Sequence, residues 1–93
     1  MRRRSMIAVL LAILGCGPPT VDSVCGDLSD KHCANATCVD DGNSLGVRAT
    51  SAGCTRLFDA YVDCIDQALC SYDTVCAAQR AALVGCTGPF APP

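Results

Sequence analysis

Cys25, His32, Cys33 and Cys38 are the side chains in this 93-residue chain whose types and spacing invite a test for metal or thiol chemistry. Zinc takes four Cys or His ligands, often from short knuckles. No C-x-x-C occurs anywhere in the chain, and His32 is its one histidine. Thiol redox catalysis also favours C-x-x-C, with a lowered thiol pKa. No metal and no cofactor are therefore expected, and His32 reads as a surface residue beside a disulfide. Asp40, Asp41 and Asn43 around Gly42 suggest a calcium loop only faintly. Such a loop alternates ligands over about twelve residues and closes with Glu, and all nine acidic residues here are Asp. That stretch reads as a polar turn. One His and scattered Ser give no hydrolytic triad. Asn35-Ala36-Thr37 matches a glycosylation sequon, which matters only in a eukaryotic host. No enzyme is expected.

The remaining chemistry of the cysteines is cross-linking, and their spacing says which elements they must join. Cys54, Cys64, Cys70, Cys76 and Cys86 form a palindrome: nine residues lie between Cys54 and Cys64, nine between Cys76 and Cys86, and Cys70 sits midway. Ten positions on a helix cover nearly three turns, or about 15 Å. In heptad terms the step runs from an a position to the next d. Cys54, Leu57, Tyr61, Cys64 and Ala68 then form one seam, and Cys76, Gln79, Leu83 and Cys86 the other. Folding the chain at Cys70 sets Cys54 against Cys86, Cys64 against Cys76, Leu57 against Leu83, and Tyr61 against Gln79. Cysteines six or ten apart on one helix cannot bond, because a disulfide needs Cα atoms within about 7 Å. The spacing predicts an antiparallel helical hairpin stapled by Cys54–Cys86 and Cys64–Cys76. Thr50 or Ser51 is the expected cap of its first helix and Asp73 of its second. Gly85 and Gly88, followed by Pro89, are the expected stop. A hydrogen bond between Tyr61 and Gln79 is expected inside the seam. Arg56, Asp59, Asp63 and Asp66 fall on the outer face of the first helix and read as solvated surface.

The array resembles the twin C-x9-C, or CHCH, family of small helical-hairpin proteins of the mitochondrial intermembrane space. Cys54, Cys64, Cys76 and Cys86 match its four hairpin cysteines, over about 33 of the 93 residues. Cys70 at the turn, the upstream Cys25, Cys33 and Cys38, and the N-terminal region depart from that pattern. The resemblance reads as convergence on one way to staple two helices and implies no function.

Residues 1–15 have the makings of a signal peptide. Arg2, Arg3 and Arg4 are followed by an apolar run over Met6 to Leu14, too short to span a bilayer but suited to a signal-peptide core. Ile13-Leu14-Gly15-Cys16 resembles the lipobox of bacterial lipoproteins: an aliphatic residue stands three before the cysteine and a small residue just before it. Leu14 is bulkier than the usual residue at its position. The resemblance implies that Cys16 is lipidated and becomes the N-terminus, with Gly17 rather than Asp after it directing the protein to the outer membrane. Cysteine arithmetic agrees. Nine is odd; assigning Cys16 to lipid leaves eight for four disulfides, as an oxidising compartment permits.

Residues 16–93 hold Lys31, Arg48, Arg56 and Arg80 against nine Asp, a formal charge of −5. That balance excludes nucleic acid as a partner and leaves the N-terminal lipid as the link to a membrane. Gly17-Pro18-Pro19-Thr20 completes a stiff tether over 16–20. Val21, Val24, Cys25, Leu28 and His32 recur at helical spacing, so a short helix over 21–33 is expected, capped by Thr20 or Asp22 and packed through Val24 and Leu28. Residues 34–53 read as a long loop tied down by Cys33 or Cys38, with a turn at Asp40-Asp41-Gly42-Asn43. If 21–33 is helical, Cys25 and Cys33 cannot bond each other. Two arrangements remain: Cys25–Cys70 with Cys33–Cys38, or Cys33–Cys70 with Cys25–Cys38. The tail 89–93 is expected to be disordered beyond Phe90.

The fold class expected is small all-α and disulfide-rich: a stapled antiparallel helical hairpin plus a short N-terminal helix and a long loop, in a single domain over 21–88. The function expected is that of a monomeric, lipid-anchored envelope protein, a structural or interaction module with an unidentified protein partner. The alternative is a secreted inhibitor or toxin-like effector using 34–53 as its contact surface. The Cys-Cys and Cys-x-Cys elements of eight-cysteine helical inhibitors and lipid-transfer proteins are missing. A metal or redox protein ranks third.

Overall fold

The structure, a computed structural model, describes residues 19–93. The expected signal peptide 1–15, the expected lipidation site Cys16 and the expected tether residues 16–18 lie outside the described residues. Those described are all-helical, without strands: α1 (Val21–Asp30), α2 (Cys38–Ser51), α3 (Thr55–Ala68), a 3-10 turn over Leu69–Ser71, a single turn α4 (Tyr72–Val75) and α5 (Ala77–Thr87). α3 is the central element, packed by α1, α2 and α5. Among the described residues, all eight cysteines are in disulfides: Cys25–Cys38, Cys33–Cys70, Cys54–Cys86 and Cys64–Cys76.

α1 begins where Thr20 stops being helical. The Thr20 hydroxyl accepts from the Ser23 N–H at 3.1 Å, satisfying one of the donors that every helix start leaves open. Val24, Cys25 and Leu28 form its buried face. They meet Leu45 and Ala49 of α2 and Tyr61, Val62 and Ile65 of α3 in one core, which Leu83 of α5 completes. No charged or polar residue is buried in it.

Residues 38–51, expected to be loop, form the 14-residue helix α2 instead. Two glycines in this stretch look like breakers, since each costs about 1 kcal/mol against Ala in a helix interior. Here neighbouring elements fill the space that they leave. A Cβ on Gly42 would stand 2.5 Å from Val21 Cγ1, and one on Gly46 would stand 3.2 Å from the Phe58 ring. α1 and α3 therefore approach α2 closely because those side chains are missing. The acidic pair read as a turn lies in the first turn of α2, where carboxylates meet the positive end of the helix dipole. Asp41 also accepts from the Thr37 hydroxyl at 2.8 Å.

α2 ends in a Schellman motif. Gly53 takes φ +78, the left-handed conformation that glycine adopts without a steric cost. Its N–H bonds Thr50 O at 3.1 Å and that of Cys54 bonds Ala49 O at 2.8 Å. This tight turn sets Cys54 directly before α3 without a side-chain cap. Thr50 and Ser51, expected to cap the hairpin's first helix, instead close α2. Asp73 does not cap the second helix either: it lies within α4, and α5 starts after Cys76. Gly85 sits inside α5, and Gly88 follows its end at φ +86.

Candidate functional site

The cross-links divide into two kinds. Cys25–Cys38 ties α1 to α2, and Cys54–Cys86 and Cys64–Cys76 tie the start and end of α3 to the segment carrying α5. Their Cα separations are 5.9, 6.6 and 5.9 Å, all within the usual range. Cys33–Cys70, with a Cα separation of 5.8 Å, is the one disulfide among the described residues that joins the N-terminal half, 21–53, to the hairpin half, 54–88. Of the two arrangements open from sequence, this is the one present. It is also set apart by its surroundings. Cys70 is exposed and Cys33 half-buried, whereas each other bond has at least one buried sulfur residue. Among the described residues, the non-glycine residues with positive φ are those immediately before its two cysteines: His32 at 62° and Leu69 at 53°.

The second feature is the C-terminal segment. It was expected to be disordered beyond Phe90 but lies across the helices, because cationic and amide side chains meet its carbonyls. Arg48 Nη2 donates to Thr87 O at 2.7 Å and Pro89 O at 3.1 Å. Arg80 Nη2 donates to Phe90 O at 3.0 Å, and its guanidinium stacks 4.7 Å from the Phe90 ring centroid. Asn35 Nδ2 donates to Pro92 O at 2.8 Å, and the Asn35 N–H to Pro93 O at 2.6 Å. Prolines lack N–H groups, so a segment rich in them presents acceptors and asks for external donors. The expected Tyr61–Gln79 bond is absent. Arg80 Nη1 donates to the Tyr61 hydroxyl at 3.2 Å instead, while Gln79 Oε1 is buried without a partner. A charged guanidinium makes the stronger bond to a phenol, and it serves Phe90 at the same time. The Phe90 ring lies 5.7 Å from that of Tyr61.

Beneath the strap is an apolar-lined cavity of about 40 Å³ between Val24, Leu45, Phe58, Tyr61 and Ile65, closed by Ala91 and Pro93. Ligand sites run to about 300–1,000 Å³, so this cavity is of water size rather than ligand size.

No three His, Cys, Asp or Glu side chains converge as metal ligands among the described residues. On the acidic face, Asp63 accepts from Gln67 at 3.0 Å. The Asp66 carboxyl lies above its ordinary range. Partial burial is the main cause, followed by a hydrogen bond with Asp27 and the charges of Asp27 and Asp63. Partial burial likewise pushes the Tyr72 phenol up, with Asp73 adding to it and Arg80 opposing. No described helix is long and apolar enough to cross a membrane. Arg48, Arg80, Asn35 and Phe90 escape sequence reasoning because each acts on a carbonyl or ring far along the chain, and no local pattern marks such a pair.

Comparison with protein-family models, curated proteins and solved structures finds no match to this chain. The class that the described residues define is a small all-α, disulfide-rich protein.

Proposed function

We propose that this chain is a lipid-anchored, non-enzymatic protein of the bacterial outer membrane, acting as a structural or interaction module. The observation that carries the reading is the complete pairing of Cys25 through Cys86 in four disulfides. Disulfides of this density belong to oxidising compartments outside the cytoplasm. They also leave Cys16, the cysteine of the lipobox-like sequence, as the odd one. An acyl chain there holds the domain to the membrane, and the prolines of the tether hold it off the surface. The domain's helices then present side chains to a protein partner.

The test is the intact mass of membrane-extracted protein, alkylated once without reduction and once after it. The native form is expected to take up no alkylating agent, the reduced form eight equivalents, and the N-terminal peptide a lipid mass on Cys16. An unmodified Cys16 overturns the anchor. Free thiols in the native form overturn the pairing and bring metal or redox chemistry forward.

Val39 and Val47, two exposed apolar residues on α2, favour a second reading, a secreted inhibitor or toxin-like effector that uses this segment as its contact surface. Inhibition of a member of a protease panel, lost on Val47→Asp, supports that reading. Absence of inhibition across the panel removes its inhibitor form.

A further inference from the structure

Three of the four disulfides lie within one half of the molecule, and Cys33–Cys70 alone among the described residues joins the halves. It is also the bond with the greatest access for an attacking thiolate, since Cys70 is exposed and Cys33 half-buried. The other three each bury at least one partner: Cys38 is 4% exposed, Cys54 7% and Cys76 0%. Thiol–disulfide exchange requires attack on one sulfur along the S–S axis, so access governs which bond reacts first.

The backbone before each cysteine is set locally. His32, at φ 62°, ends α1 in a Schellman motif, with its own N–H on Ser29 O and that of Cys33 on Leu28 O, both at 2.9 Å. Leu69, at φ 53° and ψ −126°, opens the hairpin turn directly before Cys70. Breaking the Cys33–Cys70 link leaves α1 stapled to α2 and α3 stapled to α5.

We propose that Cys33–Cys70 is a reducible clasp between the two halves, opened by a dithiol reductant in preference to the other three disulfides. One thiolate of the dithiol attacks Cys70 Sγ. The Cys33–Cys70 bond breaks, a mixed disulfide forms on Cys70, and Cys33 leaves as a thiolate that takes a proton from water. The second thiolate of the reductant attacks the mixed disulfide, forms the reductant's own internal disulfide, and releases Cys70, which is protonated in turn. Two electrons and two protons pass from the dithiol to the pair. The product keeps its fold through three bonds but lacks the covalent tie across the interface that contains Leu28, Leu45 and Ile65.

The experiment is graded reduction of the full chain with dithiothreitol, followed by alkylation and peptide mass mapping. The expected result is a species with two labels, on Cys33 and Cys70, that accumulates before any other cysteine is labelled and retains native far-UV circular dichroism. First labelling at another pair, or passage directly to eight labels, overturns the proposal.

Discussion

The two halves of this molecule reach the same kind of structure by different routes. In the hairpin half, two disulfides sit on a ten-residue repeat along each arm, and α3 and α5 face each other through that ladder. Their pairing is a property of helical periodicity alone. In the N-terminal half one disulfide joins α1 to α2, and α2 carries glycines where its neighbours press closest. Val21 and Phe58 occupy the space at Gly42 and Gly46, so α2 is helical because it is packed. The difference shows that a helix with poor local propensity forms where the missing side chains are what allow its partners to approach.

Removing the cross-links should break the comparison most visibly. In the chain-entropy view, a disulfide closing about 14 residues stabilises by about 3 kcal/mol. Cys25→Ala/Cys38→Ala and Cys64→Ala/Cys76→Ala delete bonds of nearly equal span, 13 and 12 in sequence separation. Denaturant unfolding followed by circular dichroism should nevertheless find the first variant the less stable. The Cys54–Cys86 staple still holds the hairpin in the second variant, whereas α2 in the first loses its only internal tie. Equal losses would show that α2 needs no such support.

Glycine substitutions sharpen the same contrast with smaller effects of opposite sign. Gly42→Ala sets a Cβ against Val21 and should cost about 1–3 kcal/mol through overpacking. Gly85→Ala on α5 meets nothing within 4 Å and should add up to about 1 kcal/mol from helix propensity. Thermal unfolding of the two variants reads both signs, and a gain for Gly42→Ala would show that α1 can move aside freely.

Releasing the strap comes next in size. Arg80→Ala removes the donor to Tyr61 and to Phe90 O and the cation over the Phe90 ring. It should cost about 1–2 kcal/mol and speed amide exchange over residues 90–93. Unchanged exchange there would show that Arg48 and Asn35 suffice.

The smallest effect concerns pH. Asp66 has its carboxyl pKa raised on folding, chiefly by partial burial, so the folded state holds its proton to higher pH than the unfolded chain. The folded state is therefore favoured at low pH with respect to this group. That advantage disappears as pH rises from the ordinary carboxylate range through the folded pKa. Asp66→Asn should be slightly more stable than the native chain at neutral pH and show no such gain below pH about 3. A gain of the same size at both pH values would assign it to something other than ionisation.

Much of the hairpin was legible because its evidence is local. The repeat over Cys54, Cys64, Cys76 and Cys86 names the same two bonds that the structure contains. The start of α1 follows from Thr20 and the spacing of Val24 and Leu28. α2 was not legible. Gly42, Gly46 and the acidic pair before them are turn signals by composition, and only the positions of Val21 and Phe58 make them compatible with a helix. Tyr61 illustrates the same limit within the hairpin. Its position on the seam was readable, but its partner is Arg80 rather than Gln79, because Phe90 returns from beyond α5 and holds the guanidinium over its ring, within reach of the Tyr61 hydroxyl.

Local spacing by itself determines the class of this protein: helices at 3.6 residues per turn and cysteines placed to cross-link them. Tertiary structure alone decided three things. It chose Cys33–Cys70 with Cys25–Cys38 over the alternative pairing, made 38–51 helical, and laid the C-terminal strap over the core. Each depends on contacts between segments distant in the chain. Periodicity reports which face of a helix is apolar; it carries no information about which other face fills the space opposite.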